Sequence, residues 1–536
     1  MRRFLIQLLK ITLVLFLQSA AAIEATKHGQ TQNTPAYQWE VVDIAFQSGP
    51  LPTQPIFVQL SAVFRNGAQQ IHVHGFYNGG SEYRLRFTPP SKGTWKYTTR
   101  SNWTPLDRQT GVVQVKAART GQKGGIIVNP SAKRTFQYEN GDDYFPIAFE
   151  ADWLFALDAD NPDDIPETRR FVDQLAANGF NQIVMNVFAY DVSWKKDPDL
   201  RPEHDYGSPK SSPFGGSNEE PDHSKLNIEY FRRLDRVIDY LNQKGIAAHL
   251  MIYVWNKLVN WPEARSKADN RYFDYVVKRY QAFPNLIWDI SKEALGYGRN
   301  DVTYIHDRIK RLRGLDSYER LITVHDYSYC RRFNEKIDFI SVQLWGSELY
   351  GVMRKVVSDM PGKPILNIEH GGYEEGPYVV FEGNYVSPEV CLERAWQCVF
   401  AGTYPTHYWQ GAAWNVIIPN LESLDPEARP RFDYYRNMSA FVEKYQIASL
   451  TAGDKKSASG FCLHDEESLF LFYVPKENSH IDIRLKPFQG KTMTQTWFNP
   501  FTGEFTEPKR KTIPQWPRLK VPEGEGFRIL VVQIED

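Results

Sequence analysis

Strand-length and helix-length segments alternate along the middle of this chain, and this alternation restricts its fold more than any other feature. From about residue 136 to 445, short runs rich in Ile, Leu and Val are separated by amphipathic stretches. Runs without a polar residue at every second position are typical of parallel strands buried on both faces. The predicted strands are 144–149, 181–187, 247–253, 286–290, 321–324, 339–344, 364–368 and 406–409. The predicted helices are 166–178, 227–244, 269–282, 301–313 and 388–401. Eight such repeats over about 300 residues predict an α/β fold, a (β/α)8 barrel of the TIM type.

The segments on both sides of the predicted barrel have a different pattern. From about residue 37 to 115, and again after about 447, short runs alternate between apolar and polar residues and are separated by turn residues. This pattern predicts an antiparallel β-sandwich at each end of the chain. The predicted organisation is a signal peptide at 1–25, an N-terminal β-sandwich at 36–120, the barrel at 125–445 and a C-terminal β-sandwich at 447–536.

The first 25 residues are typical of a secretory signal. Arg2, Arg3 and Lys10 supply positive charge, an apolar run follows at 11–17, and small residues at 19–22 suit cleavage. The alternative is an uncleaved membrane anchor. We expect an exported protein, periplasmic or extracellular, that has no membrane association after cleavage. The polar segment 26–35 that follows is predicted to be disordered.

Charge and composition restrict the partners. The chain has 63 basic and 64 acidic residues, a formal net charge of −1, and no basic tract. Binding to nucleic acid or to an anionic membrane is therefore not expected. Aromatic residues make up 14% of the chain, which fits either core packing or platforms for the apolar face of a sugar. The sequence leaves the oligomeric state open.

No cofactor or metal is expected. The chain has no Gly-rich phosphate-binding loop. The acidic loop 158–164 could supply oxygen ligands to Ca²⁺, but it lacks the EF-hand pattern. His72 and His74 lie on one strand face with no further ligand near them in sequence. The cysteines Cys330, Cys391, Cys398 and Cys462 are too few for a disulfide scaffold and are predicted to be buried thiols.

Two glutamates follow apolar runs at predicted strand ends. Glu293 ends the segment Asn-Leu-Ile-Trp-Asp-Ile-Ser-Lys-Glu, and Glu369 ends Lys-Pro-Ile-Leu-Asn-Ile-Glu. Barrel enzymes place their chemistry at the carboxyl ends of the strands. Two carboxyl groups on different strands would supply the acid pair that glycoside hydrolysis requires. The alternative is that each is a solvated loop acid.

These segments resemble those of a known group of proteins. Trp-Asp-Ile-Ser-Lys-Glu293 resembles the acid/base segment, and Pro-Ile-Leu-Asn-Ile-Glu369-His the nucleophile segment, of bacterial retaining (β/α)8-barrel glycoside hydrolases, the apiosidase-like barrel group. The N-terminal region resembles the β-sandwich of unknown function found in many such proteins. Thr-Trp-Phe-Asn-Pro-Phe-Thr-Gly-Glu504 resembles the C-terminal β-module that is often described as collagen-binding. The resemblance implies a poly- or oligosaccharide substrate, with Glu369 as nucleophile and Glu293 as acid/base.

Position 292 departs from this resemblance. Much of the clan has Asn immediately before the acid/base glutamate, where its amide would bind the sugar 2-hydroxyl, whereas this chain has Lys292. Either another donor replaces this amide and Lys292 is solvated, or Lys292 contacts the substrate, for example an acidic or sulfated sugar.

Other residues at the predicted strand ends are candidate substrate contacts, each with core packing as the alternative. They are Asp152, Trp153, Asn186, Tyr253, His325, Gln343, Trp345, His370 and Trp409. A Trp at the last strand would suit the floor of a sugar subsite. His370 adjoins Glu369, although neighbours at a strand end usually point apart.

Two other functional hypotheses are open. The chain could be a non-catalytic carbohydrate-binding protein on a barrel scaffold. It could also use a different acid pair, such as Asp152 with Glu293, and act with inversion. Glu374 and Glu375 are further rival acids in the loop after Glu369.

Overall fold

The computed structural model describes residues 32–297, 301–370, 373–380 and 385–535, and it divides into two units between Gln122 and Lys123. The predicted signal peptide at 1–25 and residues 26–31 lie outside the described residues. Within the described ranges, none of the helices has the length and apolar character needed to cross a membrane.

The N-terminal unit is built of β-strands. They are β1 (Gln32–Tyr37), β2 (Val42–Gln47), β3 (Leu60–Asn66), β4 (Gln69–His74), β5 (Phe76–Tyr77), β6 (Glu82–Phe87), β7 (Gly93–Ser101) and β8 (Thr110–Lys116). One sheet has the order β1-β8-β7-β3-β4 and the other the order β2-β6-β5. The ring of Phe64 in the first sheet stacks on Phe87 of the second, with centroids 3.9 Å apart. This packing confirms the predicted β-rich region, although β1 pairs in parallel with β8 and begins inside the segment that was predicted to be disordered.

The second unit contains the alternating elements. Its strands up to residue 407 are β9 (Ile126–Val128), β10 (Phe136–Tyr138), β11 (Asp143–Tyr144), β12 (Ala148–Glu150), β13 (Gln182–Asn186), β14 (Phe214–Gly216), β15 (Pro221–Leu226), β16 (Ala247–Val254), β17 (Leu286–Lys292), β18 (Ile322–His325), β19 (Ile340–Leu344), β20 (Ile365–His370), β21 (Tyr373–Glu374), β22 (Tyr385–Val386) and β23 (Tyr404–His407). Its helices are α1 (Pro166–Ala177), α2 (Ile228–Gln243), α3 (Lys267–Tyr280), α4 (Val302–Leu315), α5 (Tyr327–Arg332), α6 (Leu349–Asp359), α7 (Pro388–Phe400) and α8 (Phe432–Tyr445).

Eight parallel strands form a nearly closed barrel, as predicted. Their order is β18-β17-β16-β13-β12-β23-β20-β19. The two end strands lie side by side, and the hydroxyl of Thr323 on β18 bonds that of Ser341 on β19 at 2.9 Å. Each predicted strand overlaps one strand of the barrel, and each predicted helix overlaps a helix of the layer around it.

Local sequence explains where the helices begin. Five of them start after a residue whose side chain accepts a hydrogen bond from a backbone N–H of the first turn, namely Asn227, Ser266, Asp301, Asp326 and Ser387. Such a cap contributes about 1 kcal/mol to helix stability. The carboxylate of Asp158 bonds the backbone N–H groups of Glu167 and Thr168 at the start of α1. The acidic loop therefore binds a helix N-terminus, and the described residues contain no group of three or more His, Cys, Asp or Glu arranged for a metal.

A small antiparallel sheet covers the amino end of the barrel. Strands β9, β10 and β11 form this sheet, and its side chains Ile126, Phe136 and Tyr144 join one buried cluster with residues of the barrel strands. The predicted strand 144–149 is thus divided, because Tyr144 belongs to the small sheet and only the last residues enter the barrel. With this end covered, the carboxyl ends of the strands are left for a functional site.

The C-terminal region of the second unit is a β-module. Its strands are β24 (Thr451–Ala452), β25 (Phe461–His464), β26 (Leu469–Val474), β27 (His480–Asp482), β28 (Thr492–Phe498), β29 (Lys509–Thr512), β30 (Arg518–Lys520) and β31 (Arg528–Ile534). Six of them form a sheet in the order β24-β25-β26-β31-β28-β29, and β27 pairs with β30. The module packs on the barrel helices, where the ring of Phe461 stacks on Tyr350 of α6 with centroids 3.5 Å apart.

Candidate active site

Buried ionisable side chains from several strands meet at the carboxyl end of the barrel. We call them the carboxyl-end cluster, which consists of Glu150, Asp152, Lys257, Lys292, Glu293, His325 and Glu369. All of them except Glu293, which is half-buried, have little or no contact with solvent. They come from β12, β17, β18, β20 and the loops that follow β12, β16 and β17. Buried charges are rare without partners, so their arrangement needs a chemical explanation.

The two predicted catalytic glutamates are brought together. The amide Nε2 of Gln343 donates to Oε1 of Glu293 at 3.5 Å, and Gln343 is the register partner of Glu369 across β19 and β20. The negative charge of Glu293 is one of the causes that raise the pKa of Glu369. Glu293 and Glu369 therefore face one site from opposite sides of Gln343.

The backbone turns sharply at Glu293. Its φ is +51°, in the left-handed region that residues other than Gly rarely adopt. Its N–H donates to the carbonyl oxygen of His325 at 2.8 Å, which holds the turn against β18. Strained conformations of this kind are often found at functional sites.

Two nitrogen atoms lie near the carboxylate of Glu369. The ammonium of Lys292 is 3.4 Å and Nε2 of His325 is 3.5 Å from Oε2 of Glu369. Burial and the charges of Glu293 and Asp152 raise the pKa of Glu369 to about 7, against the opposite effect of Lys292. Burial and the nearby Lys292 charge lower the pKa of His325 well below its usual range, so this imidazole is neutral.

The side chain of Lys292 is buried, and its ammonium is paired with carboxylates. Its ammonium pairs with Oε1 of Glu150 and lies 3.3 Å from Oδ2 of Asp152. The side chain is 2% exposed, so the prediction of a solvated lysine is wrong. Because carboxylates surround the ammonium, its surroundings also do not favour an acidic or sulfated sugar.

A second lysine, which the sequence analysis did not identify, completes the cluster. Lys257 follows β16, and its ammonium lies 3.2 Å from Oδ2 of Asp152 and 2.9 Å from the ring centroid of Trp414. Burial lowers the pKa of Lys257 to about 8. Burial opposes ionisation of Asp152, but Lys292 and Lys257 outweigh it and lower the pKa of that carboxyl to about 2.

Glu150 was also missed. It ends β12 and is fully buried, and burial and the charge of Glu369 raise its pKa well above the usual range, against the effect of Lys292. Glu150 and Asp152 are two residues apart, a spacing that places strand residues on one face, and this was the available signal. Lys257 lies beyond the predicted strand 247–253 and had no comparable signal.

The other residues that the sequence predicted for the site differ from one another in their contacts and burial. Asn186 donates to the carbonyl oxygen and to Oδ1 of Asp152, at 3.1 and 3.3 Å, and so joins the cluster. Trp153 is buried with Lys257 5.5 Å from its ring centroid. Trp345 is half-buried after β19. The side chain of His370 lies outside the described residues, and its assignment stays a prediction.

Two predicted substrate contacts pack toward the helices. The hydroxyl of Tyr253 donates to Asp269 of α3 at 2.6 Å. The ring of Trp409 is fully buried and lies 5.8 Å from Phe432 of α8. Each therefore has a packing role in the structure.

Glu374 and Glu375, the two alternative catalytic acids after Glu369, lie outside the carboxyl-end cluster. Oε2 of Glu374 lies 2.6 Å from Nε2 of His407, and Oε1 of Glu374 accepts the backbone N–H of Arg431 at 3.2 Å. Both Glu374 and His407 are buried. Glu375 is exposed. Glu374 is therefore bound by β23 and by the residue that precedes α8 rather than by the carboxyl-end cluster.

The loop after β13 adds an aromatic wall. The ring of Trp194 meets Trp414 edge to face at 4.2 Å, and its indole N–H donates to the carbonyl oxygen of Val380 at 2.7 Å. Trp414 also contacts Lys257. The long loop therefore reaches both the cluster and the loop after β20.

Comparison with known proteins identifies the family of the barrel and proteins that share its fold. Residues 130–444 match the model of the apiosidase-like catalytic domain, and residues 35–102 match a domain of unknown function. No curated protein matches the chain. A candidate glycoside hydrolase from Bacteroides vulgatus ATCC 8482 has a similar structure, with a TM-score of 0.78 at 19% identity over 94% of this chain and 100% of that one.

Two further solved structures share the fold. One is a glycoside hydrolase with a TM-score of 0.59 at 16% identity, covering 77% of this chain and 97% of that chain. The other is a family 5 glycoside hydrolase from Bacteroides vulgatus ATCC 8482 with a TM-score of 0.56 at 16% identity, covering 77% of this chain and 94% of that chain.

Proposed function

The chain belongs to the apiosidase-like family of catalytic domains, and we propose from this premise that it is an exported glycoside hydrolase that acts with retention. Its structural neighbours are glycoside hydrolases, which supports glycosidase activity. The substrate would be an oligo- or polysaccharide cleaved at an O-glycosidic bond. Export to the periplasm or the medium is supported by the basic, apolar and small-residue order of the first 25 residues.

The pairing of Glu293 with Glu369 carries the proposal. Glycoside hydrolysis needs one carboxyl group that gives a proton to the leaving oxygen and a second that attacks the anomeric carbon or activates water. Glu293 and Glu369 end up on either side of Gln343 at the carboxyl end of one barrel. The charge of Glu293 raises the pKa of Glu369, so the two carboxyl groups interact electrostatically.

The proposed reaction has two steps. The carboxylate of Glu369 forms a bond to the anomeric carbon while the bond from that carbon to the leaving oxygen breaks, and Glu293 transfers its proton to that oxygen. Glu293 then removes a proton from water, the water oxygen bonds to the anomeric carbon, and Glu369 leaves as carboxylate. The two displacements restore the original anomeric configuration.

Kinetics of two variants test these roles. Glu369→Ala should abolish turnover of every substrate, because no nucleophile remains. Glu293→Gln should lower kcat/KM by about 10²- to 10⁴-fold on a natural oligosaccharide, and less on a nitrophenyl glycoside, because nitrophenol leaves with little proton transfer. The substrate would be found with a panel of aryl glycosides and polysaccharides.

Glu375→Gln is the matched control, since this exposed glutamate lies outside the cluster. It should keep the kcat/KM of the parent chain. Near-normal activity of Glu369→Ala or Glu293→Gln would overturn the assignment.

Inversion with Asp152 and Glu293 as the acid pair is the competing mechanism. Asp152 is bound by two lysines that lower its pKa to about 2, and such a carboxylate is a weak base toward water. ¹H NMR of the first-formed product anomer separates retention from inversion. Binding of a sugar without turnover of any member of the panel would favour the non-catalytic alternative.

A further inference from the structure

Lys292 contacts Glu369, which acts in the proposed reaction, and also Glu150 and Asp152, which have no part in it. It is the last residue of β17 and immediately precedes Glu293. Its ammonium pairs with Glu150 and Asp152 on the side of β12 and lies 3.4 Å from Glu369 at the end of β20. A single cation thus contacts carboxylates from two other parts of the barrel.

The numbers of acidic and basic groups in the carboxyl-end cluster show why the ammonium of Lys292 is important. The cluster contains four carboxyl groups, Glu150, Asp152, Glu293 and Glu369, and two ammonium groups, those of Lys257 and Lys292. Lys257 lies close to Asp152, and its other close contact is the ring of Trp414. Among the described residues, Lys292 is the cation with an ion-pair contact to Glu369.

We propose that Lys292 is a positioning residue, anchored by Glu150 and Asp152, whose ammonium keeps the attacking carboxylate of Glu369 ionised and oriented. This proposal rests on the proposed function for the role of Glu369. The ammonium would act on the oxygen Oε2 of the reacting carboxylate, 3.4 Å away. Glu150 and Asp152 hold the ammonium in place because they fill its other donor directions.

The other groups around Glu369 do not replace this cation. His325 is neutral, because burial and the charge of Lys292 lower its pKa. Glu293, Asp152 and Glu150 carry negative charge when ionised. Lys257 also lowers the pKa of Glu369, but as a smaller influence than Lys292.

The ionisation of Glu369 can be measured without any substrate. The full chain would be labelled with ¹³C at the glutamate carboxyls, the signal of Glu369 assigned from its loss in Glu369→Gln, and its pKa followed by NMR. In Lys292→Met the pKa of Glu369 should rise by about one unit or more, since an opposite charge at this distance lowers a carboxyl pKa by 1–3 units. The acid limb of the pH–activity profile should move in the same direction.

Loss of one partner from a buried ion pair can prevent folding, so a double variant is included. Lys292→Met with Glu150→Gln removes both charges of the pair, and its Glu369 pKa should lie above that of Glu150→Gln alone, from which it differs only at Lys292. Glu150→Gln alone should show no rise, because Asp152 still holds Lys292 close to Glu369. Lys292→Arg keeps the positive charge and should also show no rise, even if its different shape lowers kcat.

Lys363→Met is the matched control. Lys363 precedes β20, the same strand, but binds the carbonyl oxygen of Ile337 near the opposite end from Glu369. Its removal should leave the Glu369 titration unchanged. The proposal is overturned if the double variant titrates like Glu150→Gln alone, or if Glu150→Gln or Lys292→Arg raises the pKa as much as Lys292→Met. A rise in a protein that cleaves no glycoside would contradict the proposed function and leave the role of Lys292 in ionising Glu369 intact.

Discussion

Lys292 and Glu293 are neighbours in the chain, yet both face the same cluster. Consecutive residues of an extended strand point to opposite faces. Since Lys292 points into the barrel toward Glu369, an extended Glu293 would point toward the helices. The φ of +51° at Glu293 interrupts the strand and lets its carboxylate reach Gln343. The turn therefore explains how two adjacent charged residues serve one site.

Glu374 provides a test of residue roles, because it is a buried acid near Glu369 in sequence but not in the cluster. Glu374→Gln weakens its contacts with His407 and with the N–H of Arg431. The loss of a buried charged partner should lower the free energy of unfolding by about 2 kcal/mol. Denaturant unfolding would measure this, and kcat/KM per folded molecule should change little. A large loss of activity at unchanged stability would instead identify Glu374 as catalytic.

The sequence predicted which strand ends meet in the carboxyl-end cluster better than which way each side chain points. Glu293 and Glu369 were found because a carboxylate after a buried strand is unusual. Tyr253 was assigned to the site but faces α3. Strands of a barrel are apolar on both faces, so their pattern does not distinguish the interior from the helix layer. The positive φ at Glu293 had no sequence signal either, because this backbone region is usually marked by Gly.

At the scale of elements, the start of the barrel shows a second limit of prediction from the sequence. The run Tyr144–Phe149 was interpreted as one strand, but β11 ends at Tyr144 and β12 begins at Ala148. Pro146 lies between them, and proline lacks the N–H that a central strand needs. The small sheet made by β9, β10 and β11 therefore covers one end of the barrel, and substrate must approach from the other.

The C-terminal module is expected to stabilise the barrel. Phe498 of β28 contacts Phe441 of α8 at 4.6 Å and Trp396 of α7 at 6.4 Å, and Tyr473 donates to Glu393 of α7. Deletion of residues 447–536 would expose this aromatic face of the helices. The shortened chain should bind a hydrophobic dye and unfold at a lower temperature than the full chain.

Asp454→Ala is the control for that deletion. Its carboxylate bonds Arg354 at 2.9 and 3.0 Å but is 52% exposed, and exposed ion pairs contribute less than about 1 kcal/mol. Its melting temperature should therefore stay close to that of the parent chain. A shortened chain with the stability of the full chain would show that the barrel needs no support from the module.

At the scale of the whole molecule, the sequence pattern predicts the architecture but does not predict the substrate. Eight apolar runs separated by amphipathic helices are compatible with few folds other than a barrel, and the eight strands are present. Substrate recognition depends on loops such as the one that carries Trp194, whose contact with Trp414 joins residues 220 positions apart in the sequence. Local periodicity contains no information about such a contact.

The cysteines test the integrity of the whole second unit, because all four are free and buried in it. Burial raises the pKa of Cys330 and Cys398 to about 12 and also raises the pKa of Cys391 and of Cys462 above the usual range. Cys391 and Cys398 are also about 10 Å apart along α7, too far for a disulfide.

Since the thiolate is the reactive form, the native protein at pH 8 should not react with a thiol reagent such as DTNB. Four thiols should react after denaturation, and a reductant should not change the melting temperature. Rapid reaction of any thiol in the native protein would show that the barrel or the C-terminal module opens more readily than its packing indicates.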